Sequence, residues 1–150
     1  MKRRVVVTGM AGISPIGNDW PSIRQRLGEY RSAIVHMPDW SDYDGLSTQL
    51  AAPAMPFELG ERFTRKTMRS MGRVAIMAAR ATEMALEDAG LLESPLVTSG
   101  DMGISYGSSA GTIASISDFG RMLDDRSARG INATTYIKMM AHTAPVNIGV

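Results

Sequence analysis

The run from Phe63 to Gly90, FTRKTMRSMGRVAIMAARATEMALEDAG, constrains this chain more than any other stretch. On a helix of about 3.6 residues per turn, Lys66, Arg69, Arg73, Arg80, Glu83 and Glu87 fall on one narrow stripe. Everything else on the wheel is apolar or small: Met68, Met71, Val74, Ala75, Ile76, Met77, Ala78, Ala81, Met84, Ala85 and Ala89. A surface helix shows the reverse, a limited apolar stripe on a polar cylinder. The spacing therefore predicts a helix across the whole run, capped by Thr64 and stopped at Gly90. Met71, Ile76, Met77 and Met84 should be inaccessible, and Arg69, Arg73 and Arg80 wetter. A helix covered on most of its circumference points to a layered α/β architecture with sheet behind it.

No part of that run lacks charge for long enough to cross a bilayer. The 150 residues are 44% hydrophobic and 21% charged, with a formal net charge of +1, which is ordinary for one globular core. So small a net charge gives no support for nucleic acid or an anionic membrane as the main partner. Cysteine is absent, which removes disulfides, thiolate metal sites and a cysteine nucleophile from these residues. The opening MKRRVVV has a basic patch before an apolar run. Only Val5 to Val7 precede Thr8 and Gly9, so it reads as a first strand rather than a leader, and a cytoplasmic protein is expected.

Taken in order, Arg4–Thr8 reads as a buried parallel strand, followed by a turn punctuated by Gly12, Pro15 and Gly17. Asn18 or Asp19 then caps a short helix running to Leu27, with Pro21 tolerated in its first turn. Residues 28 to 62 are irregular apart from a possible strand at Thr48–Ala52. A second strand is expected at Met102–Tyr106, with helical spacing over Thr112–Asp125 and another short helix over Thr134–Thr143. The apolar ending APVNIGV reads as the start of a further element.

The glycines of VTGMAGISPIG are too irregularly spaced for a dinucleotide cradle, and Pro15 intrudes. GSSAG, Gly107 to Gly111, matches the G-x-S-x-G of a nucleophile elbow with Ser109 at its centre. That chemistry needs a base and an orienting acid later in the chain. Only His142 follows, and Asp118, Asp124 and Asp125 stand in the very next helix. The favoured reading is a sharp turn of small residues, with a serine hydrolase as an alternative. His36 and His142 have no second ligand at metal spacing, so no metal site is expected.

Several segments, in order, resemble one family. RRVVVTGMAGISPIGN looks like the opening strand and turn of β-ketoacyl-acyl-carrier-protein synthases, the condensing enzymes of fatty acid and polyketide synthesis. RFTRKTMRSMGRVAIMAARATEMALEDAGL resembles their basic, methionine- and alanine-rich helix ending in D-[AS]-G-L, here Asp88 to Leu91. MGISYGSSAGT resembles the strand and turn that follow, usually G-S-G-x-G-[GT], with Ser109 in place of the middle glycine. MMAHTAPVNIGV resembles the segment leading towards the active-site cysteine, with His142, Thr143 and Asn147 in typical places.

The resemblance implies an α/β, thiolase-like fold layered α-β-α-β-α, in two related halves with a mixed sheet each. Residues 1–150 would supply most of the N-terminal half and be incomplete at the C-terminal end. It implies a nucleophilic cysteine shortly beyond Val150, at a helix N-terminus that lowers its pKa, with two catalytic histidines and a lysine further on. The cysteine would take the acyl chain as a thioester, and decarboxylation of malonyl-carrier protein would supply the attacking carbanion. His36 and His142 are not that pair, so no catalytic residue is expected here. Ala110 stands where the family controls the depth of its acyl tunnel, and Thr134 and Thr135 fall near a gating position at a dimer interface. The implied partners are acyl-carrier protein, acyl and malonyl thioesters and a second copy of the chain, without a cofactor. A non-catalytic partner subunit of the same family is the other reading.

Overall fold

The computed structural model describes residues 4–150, so the basic start at Lys2 and Arg3 lies outside the described residues. The first helix, α1 (Trp20–Gly28), begins where Asp19 accepts the Ser22 amide at 2.9 Å, with Pro21 in the first turn. A short antiparallel pair follows, β1 (Val35–His36) with β2 (Leu50–Ala51), Val35 opposite Ala51 and His36 opposite Leu50. A 3-10 turn over Pro38–Asp42 lies between them. The second strand sits within the expected Thr48–Ala52.

The long helix α2 covers Arg73–Asp88, a shorter span than the sequence predicts. Ahead of it, Thr67–Ser70 forms a 3-10 turn, Met71 is extended (φ −89°, ψ 129°), and Gly72 stands at the N-cap. Thr64 does not cap a helix; its Oγ1 accepts the Thr67 amide at 3.2 Å just ahead of the 3-10 turn, whose N-cap is Lys66. The break has a distant cause. A Cβ on residue 72 would lie 1.7 Å from Thr112 Oγ1, so the chain must present glycine there, and glycine is a poor helix interior.

Three more helices complete the body: α3 (Ile113–Asp125), α4 (Ala133–Met139) and α5 (Thr143–Gly149). The helix α4 opens with a capping box, in which Asn132 accepts the amides of Thr134 and Thr135 and the Thr135 hydroxyl accepts the Asn132 amide. The substantial packing joins α2 to α5, α3 to α4, and α4 to the 3-10 turn at Thr67–Ser70. Ala75, Ala78 and Ala144 are buried in the α2–α5 seam, with Met71 and Ile148 against them. Ser70 Oγ donates to Asn147 Oδ1 at 2.9 Å, tying the 3-10 turn to α5.

Two expectations about α2 are corrected. Met71, Ile76, Met77 and Met84 are half-buried; the enclosed positions are Ala75, Ala78 and Glu83. Close helix approach selects alanine, while the methionines fill the looser flanks. Glu83, placed by its spacing on the wet stripe, is buried because Arg80 contacts it at 2.6 Å and Arg62 at 3.6 Å. Arg80 is drawn in with it, whereas Arg69 and Arg73 are exposed as expected.

Arg4–Thr8 and Met102–Tyr106 do not form strands among the described residues, and Val5, Val6 and Val7 are 97%, 63% and 77% exposed. A strand exists only through the ladder it shares with a neighbour, and no described residue pairs with either segment. Gly9 nonetheless seats against α2. A Cβ there would meet Ala85 O at 2.4 Å, and the Met10 amide donates to Asp88 Oδ2 at 2.8 Å.

Candidate functional site

The turn at Gly107–Thr112 and the helix α4 form the candidate region. Ser108 Oγ donates to Ala110 O at 2.8 Å and closes the tip of the turn. The amides of Gly111 and Thr112 then donate to Met139 O at 3.1 Å and Lys138 O at 2.8 Å. These two bonds satisfy carbonyls that the C-terminus of α4 would otherwise leave free. Gly111 is buried against that terminus, and a Cβ there would lie 2.4 Å from both carbonyl oxygens. The small-residue turn predicted from GSSAG is therefore a docking point for a helix end, reached only without a side chain at residue 111.

Ala110 is half-buried beside this contact. Thr134 and Thr135 lie in the first turn of α4, half-buried and buried respectively. Thr134 and Thr135 thus stand at the start of the helix whose other end, roughly 7 Å away along its axis, is bonded by Gly111 and Thr112, the residues that follow Ala110. Thr135 is committed to the capping box. Thr134 Oγ1 donates to Asn132 Oδ1 at 2.6 Å.

Thr112 was not singled out by its sequence context. Its Oγ1 is buried without a hydrogen-bond partner among the described residues. It borders a crevice of about 10 Å³ between Gly72, Ala75, Thr143 and Ala144. Glu83 was missed as a buried group because its partner Arg62 is remote in sequence; only Arg80, one turn earlier, hinted at a pair.

Ser109 is exposed and neither histidine is bonded to it. His36 Nε2 pairs with Gln49 Oε1 at 2.9 Å across the β1–β2 pair, and His142 stands exposed at the N-cap of α5. Among the described residues no group of three His, Asp or Glu side chains is placed to hold a metal, and no helix is long and apolar enough to cross a membrane. A groove of about 410 Å³ lies away from the turn, between Ile16–Asp19, α1 and Met55. Its polar groups are largely paired with one another: Ser22 with Asp19, Gln25 with Glu29, and Arg31 with Glu29.

Comparison with known proteins places this geometry. Residues 2–149 match the family described as "Beta-ketoacyl synthase, N-terminal domain". The chain is 31% identical over 144 residues to 3-oxoacyl-[acyl-carrier-protein] synthase 2 of Vibrio cholerae, covering 93% of this chain and 34% of that protein. It is 36% identical over 110 residues to the synthase 2 of Vibrio harveyi, covering 73% and 26%. The crystal structure of a β-ketoacyl synthase from Burkholderia phymatum superposes with a TM-score of 0.89 at 42% identity, over 98% of this chain and 36% of that one. The ishigamide ketosynthase/chain length factor superposes at 0.76 and 25% identity, over 99% and 36%. The chain spans about a third of the length of these relatives. Its fold is the α/β, thiolase-like one. The chain belongs to the β-ketoacyl synthase family, whose N-terminal domain it matches from residue 2 to residue 149.

Proposed function

We propose that residues 1–150 work as the N-terminal part of a 3-oxoacyl-[acyl-carrier-protein] synthase-type condensing enzyme. The observation that carries this reading is the backbone agreement with a β-ketoacyl synthase over 98% of the chain at 42% identity. In the reaction an acyl chain is held as a thioester on a cysteine. Malonyl-carrier protein loses carbon dioxide, and the carbanion it leaves attacks the thioester carbonyl. A carbon–carbon bond forms, the carbon–sulfur bond breaks, and a 3-oxoacyl-carrier protein departs. The partners in this reading are acyl-carrier protein, acyl and malonyl thioesters, and a second copy forming a homodimer in the cytoplasm.

The share of these residues would be the acyl tunnel, with Ala110 setting its depth and Thr134 and Thr135 beside its gate. Small side chains at these positions leave room for a longer acyl chain. Each methylene excluded from such a tunnel is worth roughly 1–3 kcal/mol of discrimination.

The test uses the intact gene product with malonyl-carrier protein and acyl-carrier proteins of graded length. Carrier-dependent release of carbon dioxide and of 3-oxoacyl product is expected. Ala110→Phe should shorten the longest chain accepted while short chains still turn over. Absence of condensation with every acyl-carrier protein would overturn the catalytic reading. The likeness to a ketosynthase/chain length factor supports a second one, a non-catalytic partner subunit. That subunit would be inactive alone and would restore condensation when mixed with its catalytic mate.

A further inference from the structure

The start of α2, the end of the Gly107–Thr112 turn and the end of α4 meet at one buried residue, Gly72. A Cβ there would lie 2.7 Å from the Thr112 Cβ, closer still to the Thr112 hydroxyl, and 3.5 Å from the Lys138 Cβ. Ordinary carbon–carbon contact is about 3.5–4.0 Å. The Lys138 side therefore admits a Cβ, and the Thr112 side does not. Conformation makes no such demand: at φ −87° and ψ 176°, residue 72 has an extended backbone open to every side chain. What glycine supplies at this position is room for Thr112.

Thr112 occupies that room by shape. Its Oγ1 is buried without a hydrogen-bond partner among the described residues, and it makes no capping bond at the start of α3. Burying a hydroxyl unpaired is unfavourable, so polarity does not account for the placement. The free space at the junction is about 10 Å³, about what a single water needs, which leaves no slack to absorb an added methyl group.

A push at Thr112 reaches Ala110. The amides of Gly111 and Thr112 are bonded to Met139 O and Lys138 O, at 3.1 Å and 2.8 Å. Gly111 lies so close to both carbonyls that no Cβ fits between, and the turn cannot yield towards α4. Displacement at residue 112 must either stretch these bonds or carry the end of α4 along. Both move Ala110, two residues earlier, relative to α2.

We infer that Gly72 is a positioning residue for Ala110: the room left by its missing side chain sets where the turn sits, and through it the longest acyl chain accepted. This rests on the reading of Ala110 as the residue that sets tunnel depth. Gly72 acts through Thr112 rather than on the acyl chain itself.

A size swap in the intact gene product tests this, read as the ratio of condensation rates with long and short acyl-carrier proteins. Gly72→Ala should change that ratio roughly tenfold, the effect of about one methylene gained or lost. It should also speed hydrogen exchange of the Gly111 amide, whose bond to Met139 is stretched. Thr112→Gly empties the same seat from the other side and should change the ratio too. The double variant, Gly72→Ala with Thr112→Gly, should bring both readouts back towards wild type, because the added Cβ then faces a residue without a side chain. A merely structural contact would lower stability or overall rate and leave the ratio alone. An unchanged ratio in a folded Gly72→Ala therefore overturns the inference, as does a double variant no closer to wild type than the single ones. If Gly72→Ala alone fails to fold, Thr112→Gly and the double variant decide by the same ratio. Ala110→Phe separates this inference from the reading beneath it. A ratio shifted by Ala110→Phe but not by the swap overturns the role of Gly72 alone. A ratio that Ala110→Phe leaves unaltered, or a wild type that condenses no acyl-carrier protein, overturns both.

Discussion

The region from Ala11 to Pro56 and the body made by α2 to α5 are put together by different means. In the first, structure is written locally. The helix α1 has no buried residue and is begun by Asp19, while β1 and β2 lie chiefly against each other. In the second, structure is imposed across distance. Ala144 on α5 is 2% exposed against α2, Gly72 yields to Thr112, and Gly111 yields to the end of α4. The first region adds elements without adding a core, and the second has a core made mainly of alanine. Cooperative stability should therefore reside in the body, with the N-terminal region following it.

The harshest way to break that comparison is Ala144→Asp, which puts an unpaired carboxylate into the α2–α5 seam. A loss of more than about 3 kcal/mol is expected from chemical denaturation of the intact protein. A soluble variant with an unchanged midpoint would show that the seam is not the core. Gly111→Ala comes next, since its Cβ meets two carbonyl oxygens that belong to helix backbone. A loss of roughly 1–3 kcal/mol is expected, with exchange rising at the amides of Gly111's neighbours.

A matched pair sharpens the contrast. Arg126 and Tyr30 are both non-glycine residues in the left-handed region just past a helix, at φ 51° and 54°. Arg126→Gly, at the end of α3, should raise global stability by about 0.5 kcal/mol. Tyr30→Gly, after α1, should slow local exchange in that helix and leave the global transition where it was. Equal shifts of the melting temperature would mean that the two regions unfold together.

The smallest effect belongs to Asp19. The amide and hydroxyl of Ser22 donate to its carboxyl and hold it below the usual carboxylate range. A depressed folded pKa means that the cap's contribution is present at neutral pH and is lost as the pH falls through that lowered value. Asp19→Ala should fray the first turn of α1 and abolish this acid dependence at the Ile23 amide, with no change in the body. Acid-induced fraying that persisted in the variant would assign the titration to another group.

The same contrast explains what could be read from the sequence. Signals that act within a few residues were legible: the Asp19 cap, the apolar spacing of α3, the turn at Gly107–Gly111 and the short helix carrying Thr134 and Thr135. The break at Gly72 was not, because it is set by Thr112 on another segment. Nor was the burial of Glu83, since the wheel that placed it among wet residues does not show Arg62. The strands read at Arg4–Thr8 and Met102–Tyr106 have the right residues, but a ladder also needs partners that no single stretch displays. Of the candidate site, Ala110, Thr134 and Thr135 came from resemblance. The attachment of Gly111 and Thr112, next to Ala110, to the far end of the helix that Thr134 and Thr135 begin is visible only in three dimensions.

That attachment also bears on how such a chain can change over generations. The turn is fixed to α4 by main-chain groups of Gly111, Thr112, Lys138 and Met139, none of which depends on the side chain carried at residue 110. Thr135 is bound differently, since its own hydroxyl helps to start α4. A substitution at residue 110 therefore removes no group from these bonds, whereas one at Thr135 removes the hydroxyl that helps to start α4. Novelty in this corner of the molecule can come through residue 110 with the turn's main-chain fastening kept, whereas a change at residue 135 must first find another way to begin the helix.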